Sequence, residues 1–84
     1  MWAYAGSAQA FAFHGRLGPT ERRRLLRVLD RLAQHPPAGE PSGVVDDAGR
    51  ALLTWRDEGF EILFWVDHAA RELRIVEVEW SRQG

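Results

Sequence analysis

Apolar side chains recur at helical spacing in the first half of the chain. Between residues 20 and 34 they occupy every third or fourth position, which predicts an amphipathic helix with one buried face; they are Leu25, Val28, Leu29 and Leu32. Residues 18–21, Gly-Pro-Thr-Glu, favour a helix start because proline is tolerated in the first turn and an acid there complements the helix dipole. The segment His35-Pro36-Pro37 then ends the helix.

The residues before this helix predict a short strand and a second, shorter helix. Residues 2–5 fit a strand, after which Ser7 is a suitable helix N-cap. Within residues 8–17, Ala10, Phe13 and Leu17 fit one face of a helix, although Phe11 and Phe13 also fit the alternation of a strand. We predict a helix there, joined to the longer one by a tight turn into a helical hairpin.

The second half of the chain carries the pattern of short strands. Residues 36–42 hold three prolines and a glycine, which predicts a stiff loop. Beyond it, apolar runs separated by turn residues predict an antiparallel meander, with strands at residues 44–45, 51–56, 60–66 and 72–80. The third of these runs is apolar at almost every position except Glu61, which favours a central strand covered on both faces.

The last predicted strand changes its apolar phase along its length. Leu73 and Ile75 face one way in a regular strand, whereas Val76, Val78 and Trp80 face the other. Either a β-bulge or a second covering surface explains the change. A helical hairpin on one face leaves the other sheet face uncovered, so surplus tryptophan and phenylalanine side chains favour a protein partner there.

These elements predict one α+β domain over residues 1–84. It has a short N-terminal strand, a helical hairpin and then a three- to four-stranded antiparallel sheet. A chain of 84 residues is long enough for one hydrophobic core and too short for two.

Composition narrows the chemistry that this domain can support. The chain has no cysteine, and its three histidines stand at no metal-ligand spacing, so we expect neither a metal nor a cofactor. All eleven basic residues are arginine, yet the net charge is −1, so any surface that attracts nucleic acid must be local. The sequence shows neither a signal peptide nor an apolar run long enough to span a membrane, which favours a cytoplasmic protein without membrane contact.

The order of a strand, a helical hairpin and antiparallel strands resembles the RelE/ParE superfamily of bacterial type II toxin-antitoxin toxins. Residues 17–36 look like that family's long second helix, which also ends at proline. Residues 49–56, 59–67 and 71–76 are similar to its sheet hairpins. The resemblance implies a toxin whose cognate antitoxin covers an apolar groove beside the helices and the sheet.

Three activities are compatible with this resemblance. Toxins of the RelE branch cleave mRNA on the ribosome, and toxins of the ParE type inhibit DNA gyrase by protein contacts alone. A third alternative is a degenerate member whose exposed aromatic residues mediate contacts with other proteins or with a second copy in a homodimer.

The RelE branch drives a ribose 2′-hydroxyl onto the adjacent phosphate, which requires cations, a base and an acid. The resemblance assigns catalytic positions to Arg56, Arg82 and Glu61. Glu61 departs from the family, which usually has arginine at the matching place, and as a carboxylate it could act only as a base. The structural alternatives are that Arg56 pairs with Asp57 or Glu58, that Glu61 pairs with an arginine across the sheet, and that Arg82 is a solvated tail residue.

Further candidates lie outside this set. Four arginines are candidates for RNA contact, with a solvated helix face as the alternative for the last three; they are Arg50, Arg23, Arg27 and Arg31. Glu40, between a glycine and a proline, matches a base used by one branch of the nucleases, although loop composition also explains it. No C-terminal tyrosine or histidine is present to act as the acid: the only tyrosine is Tyr4, and His68 is expected at the wrong end of the sheet.

Overall fold

Among the described residues, a short first strand precedes two helices, and four further strands follow them. The computed structural model describes residues 2–35 and 39–81. Its elements are β1 (Ala3–Gly6), α1 (Ala8–Arg16), α2 (Pro19–Gln34), β2 (Glu40–Val45), β3 (Ala51–Asp57), β4 (Phe60–Asp67) and β5 (Glu72–Trp80). The predicted α+β class and the predicted element order are therefore confirmed.

The strands form one five-stranded mixed sheet in the order β1-β5-β4-β3-β2. Strand β1 lies parallel to β5, and the other pairs are antiparallel. The sequence predicted a sheet of three or four antiparallel strands, and it did not predict that β1 belongs to the same sheet. The two helices return the chain so that β1 joins the edge beside β5. Local patterning carries no sign of such a long-range pairing.

Strand β2 begins earlier than predicted. Residues 40–42 were expected in a loop, but Glu40 pairs with Thr54, and Pro41 pairs with Leu53. Proline is tolerated there because β2 is an edge strand. Gly39 precedes it with a φ of +67°, and a Cβ at that position would lie 3.0 Å from the Cβ of Leu53. Residues 36–38 of the predicted connector lie outside the described residues.

Both helix starts form as the sequence predicts. The hydroxyl of Ser7 accepts a hydrogen bond from the backbone N–H of Ala10 at 3.2 Å, and the carboxylate of Glu21 accepts one from the N–H of Gly18 at 3.1 Å. Each contact satisfies a donor that has no partner within its helix. No helix in the described part of the chain is long and apolar enough to cross a membrane.

The hydrophobic core lies between the two helices and one face of the sheet. Strand β4 supplies its centre, with Phe60, Ile62 and Phe64 each inaccessible to solvent. The predicted apolar face of α2 packs against this face, and β1, α1 and β5 complete the core. The expectation that β4 is central is confirmed, but its coverage on both faces was wrong: Leu63 and Trp65 on the opposite face are only half-buried.

A β-bulge in β5 explains the change of apolar phase. Leu63 of β4 lies opposite Glu77, but the next residue, Phe64, lies opposite Ile75. Val76 is therefore an extra residue, and it returns Val78 to the core face.

Trp80 also lies on the core face and stacks on Phe60, with ring centroids 4.8 Å apart. Of the two explanations that the sequence left open, the structure shows the bulge, which returns Val78 and Trp80 to the core face.

Candidate functional site

The two predicted catalytic residues of the sheet lie directly opposite each other on β3 and β4, on the face away from the helices. The Nε of Arg56 donates to Oε2 of Glu61 at 2.8 Å, and its Nη1 lies 3.9 Å from Oε2 of Glu40. Arg56 therefore pairs with neither of the acids that follow it in the sequence. Arg82, the third predicted catalytic residue, lies outside the described residues.

Around this pair the sheet face forms a depression of about 360 Å³, here called the acidic cleft. Four carboxylates and one guanidinium line it, giving a formal charge of −3; they belong to Glu40, Glu61, Glu77, Glu79 and Arg56. Within the described residues, Glu77 and Glu79 have no ion-pair partner. A phosphate approaching this face meets an excess of negative charge, which opposes the chemistry expected from the resemblance.

The predicted arginine stripe of α2 lies on the other side of the sheet, and two of its arginines form ion pairs with acids at the end of β3. Arg31 donates to Oδ2 of Asp57 at 2.9 Å and to Oε2 of Glu58 at 2.7 Å. The hydrogen bond with Glu58, and then the one with Asp57, raises the pKa of the Arg31 guanidinium above its ordinary value. Arg27 lies 3.9 Å from Glu58, so only Arg23 of the three has no ion pair within the described residues.

Arg50 lies on the same sheet face as the acidic cleft but is paired and stacked. Its Nε donates to Oδ2 of Asp46 at 2.9 Å, and its guanidinium lies 4.0 Å from the ring centroid of Trp65. The backbone N–H of Arg50 lowers the pKa of the Asp46 carboxyl, with the side-chain hydrogen bond as a smaller cause. Arg74, which sequence reasoning did not single out, lies 5.9 Å from the same ring and pairs with Glu72 at 2.8 Å.

Neither candidate acid reaches the cleft. His68 follows the end of β4 far from Glu61, and its ring packs edge-on against Trp2 at 5.6 Å. Tyr4 points to the helix side, where its hydroxyl donates to Oδ1 of Asp30 at 3.2 Å. Burial, and then the charge of Asp30, raises the pKa of Tyr4.

A second surface lies on the helix side, where α1, α2, β1 and β5 meet around an apolar groove of about 140 Å³. Phe11 and Leu26 border this apolar groove and are 72% and 40% exposed. The Nε2 of His14, another lining residue, is buried without a hydrogen-bond partner among the described residues. The sequence placed the exposed aromatic surface on the opposite sheet face, which was wrong for Phe11 because α1 directs it outward beside α2.

Sequence reasoning missed Glu77, Glu79 and Thr54 as members of the cleft. Thr54 is only 9% exposed, and its Oγ1 is buried without a hydrogen-bond partner in the described structure. The signal for the two glutamates was their alternation with Val76, Val78 and Trp80, but the bulge had to be placed before their common face could be recognised.

Neither a protein-family model nor a curated protein matches the sequence, but solved structures do. A chain of the intact E. coli RelBE toxin-antitoxin complex has a TM-score of 0.70 and 18% identity, covering 98% of this chain and 99% of that one. A chain of the RelBE2 toxin-antitoxin complex of Mycobacterium tuberculosis has a TM-score of 0.75 and 15% identity, covering 95% of this chain and 98% of that one. The isolated E. coli RelE toxin has a TM-score of 0.70 and 13% identity, and the match covers 100% of this chain and 88% of that one. Over nearly its full length, this chain has the fold of the RelE toxins.

Proposed function

We propose that this chain is the toxin component of a toxin-antitoxin pair and that its cognate antitoxin binds the apolar groove. The fold is that of proteins solved as toxin-antitoxin complexes. The observation that carries the proposal is the exposure of Phe11 and Leu26 beside a groove lined by core residues. Large apolar side chains that are exposed beside a groove are typical of a surface that a partner covers.

The groove suits an amphipathic segment with one polar contact. Its apolar lining would take alternate or helically spaced apolar anchors of the antitoxin. The unpartnered Nε2 of His14 would accept a hydrogen bond from that segment or donate one to it. Either bond removes the cost of leaving a buried polar atom unsatisfied.

For the action of the toxin, the acidic cleft favours protein contact over RNA cleavage. Arg56 is already held by Glu61 and Glu40, and Glu61 as a base would have to give up that hydrogen bond. Each missing general acid or base typically costs about 10²- to 10⁴-fold in rate. Inhibition of a target such as DNA gyrase by binding needs none of these groups.

The antitoxin proposal is tested by co-expression with the small reading frame adjacent in the genome. We expect growth arrest when this chain is produced alone, rescue by the neighbour, and a stable complex on gel filtration. Phe11→Asp with Leu26→Asp should abolish the complex, because charges would be buried in an apolar contact. Val45→Asp, at a residue that is 62% exposed on β2, is a control away from the groove and should leave the complex intact. No complex with the wild-type chain, or one that survives the groove substitutions, would contradict the proposal.

The mode of action is tested separately with purified protein. In a translation extract we expect intact mRNA, and in a supercoiling assay we expect inhibition of gyrase. Codon-phased mRNA cuts that disappear in Arg56→Ala would instead assign the ribonuclease role to the residues of the cleft.

A further inference from the structure

We propose that the acidic cleft binds a guanidinium group, supplied by an arginine side chain of a partner protein. The inference goes beyond the proposed function and does not depend on it, since it concerns the sheet face opposite the apolar groove.

The charge of the cleft is the first argument. Glu61 and Glu79 lie directly opposite each other on β4 and β5, and like charges in that position destabilise a sheet. Arg56 offsets Glu61 but not Glu77 or Glu79, which have no cationic partner among the described residues. A second cation would relieve this repulsion.

Thr54 is the second and independent argument. It lies on β3 between Glu40 and Leu63 in the sheet register and lines the cleft. The residue is more than nine-tenths buried, and its Oγ1 makes no hydrogen bond within the described part of the chain. A buried hydroxyl without a partner costs stability, and a donor-rich ligand in the cleft would supply that partner.

The arrangement of the acids favours a planar organic cation. No three acidic or histidine side chains of the described residues lie close enough together to hold a metal ion. The same cleft already holds one guanidinium, that of Arg56, between two carboxylates. A guanidinium presents five N–H donors in one plane, so a single group can donate to more than one of the acceptors that line the cleft.

The site is also accessible to a protein segment. The side chains of Glu40 and Arg56, which line the cleft, are 78% and 41% exposed, so the cleft is open to solvent. An arginine carried by an extended segment can therefore enter without displacing any strand.

The experiment uses a fluorescein-labelled peptide with three arginines separated by glycines, titrated with the full chain at about 0.15 M salt so that distant charges are screened. Glu77→Gln combined with Glu79→Gln should weaken binding by about tenfold or more, because two carboxylate acceptors become neutral amides and their hydrogen bonds are no longer charge-assisted. Thr54→Val, which keeps the shape of the side chain, should weaken binding by roughly threefold.

Asp47→Lys is the matched control, since it changes the net charge by the same amount as the double substitution. Asp47 is exposed and makes no ion pair or hydrogen bond through its side chain within the described residues. Its variant should bind like the wild type, and circular dichroism should show that all variants are folded. Equal weakening by Asp47→Lys, equal affinity for a matched lysine peptide, or competition by spermidine at equal charge concentration would overturn the proposal.

Discussion

Thr54 combines a structural cost with a role proposed at the cleft, and this makes its effect on stability measurable. Thr54→Val removes an unpartnered buried hydroxyl without changing the shape of the side chain, so it should raise the free energy of unfolding by about 1 to 2 kcal/mol. Urea denaturation checks this. Thr54→Ser keeps the hydroxyl and loses a methyl group, so it should be less stable than the wild type. A destabilised Thr54→Val variant would mean that the hydroxyl has a partner after all.

Tyr4 gives a pH dependence with a defined sign. Its pKa is raised, mainly by burial and then by Asp30, so its proton is held more tightly in the folded chain. Stability from this residue is complete below the ordinary tyrosine pKa of about 10 and is lost as pH rises through the folded value. Urea unfolding should show a steeper loss of stability above that pH for the wild type than for Tyr4→Phe.

The phenolate absorbance reports the same titration directly, because the chain has one tyrosine. Asp30→Asn should move the midpoint only part of the way back, since burial is the larger cause. A wild-type midpoint equal to that of free tyrosine would contradict the assignment.

Local contacts were the part of the site that the sequence could predict. Ser7 was predicted as an N-cap and Glu21 as an acid of the first turn, because both signals lie within three positions of a helix start. The hydrogen bond from the N–H of Gly18 to Glu21 was not predicted. The pairing of Glu61 with a cross-strand arginine was one of two alternatives, and the structure forms it with Arg56. Asp57 was not predicted as a partner of Arg31, because that contact joins residues 26 positions apart.

The bulge in β5 is held by the start of α1, which gives the helix a second role besides packing. The Ser7 hydroxyl donates to the carbonyl of Val76. The Gln9 side chain donates to the carbonyl of Val78 and accepts from its N–H, each at 2.9 Å. Strand β1 pairs with β5 only as far as Gly6 and Ile75, so α1 satisfies backbone groups of β5 that lie beyond the end of β1.

Gln9→Ala should therefore lower the free energy of unfolding by about 1 to 2 kcal/mol, because both bonds to Val78 are lost. Gln34→Ala is the control, since Gln34 is an exposed glutamine of α2 whose side chain makes no hydrogen bond within the described residues. Denaturant unfolding of both variants measures the difference. Equal stabilities would show that the contacts with β5 add nothing to the fold.

Elements with strong local signals were predicted well, and elements defined by distant pairing were not. Helix α2 has an apolar stripe, a start signal and a stop signal, and its limits follow from them. Strand β1 was predicted as a strand, but its parallel pairing with β5 depends on where two helices return the chain. Strand β2 was predicted too short because residues 40–42 contain a proline, which an edge strand tolerates.

The two faces of the sheet differ in chemistry, so the two proposed partners would bind on opposite sides of it. The helix side exposes the apolar groove, and the opposite side exposes the acidic cleft. The sequence predicted a groove for an antitoxin and catalytic candidates on the sheet face, but it did not predict the surplus of carboxylates there. The sign of that face was missed because it arises from side chains of β2, β4 and β5 that are far apart in the sequence.

An uncovered apolar groove also has a consequence for the isolated chain. Without a partner, Phe11 and Leu26 remain exposed, and two copies can bury them against each other. We expect light scattering to show a mass that rises from one chain toward two with increasing concentration. Phe11→Asp should hold the chain at the mass of one copy, while Val45→Asp, on the opposite edge of the sheet, should still associate. A wild-type mass that stays at one chain at every concentration would show that the groove does not drive self-association. A dimer that persists in Phe11→Asp would assign the contact to another surface.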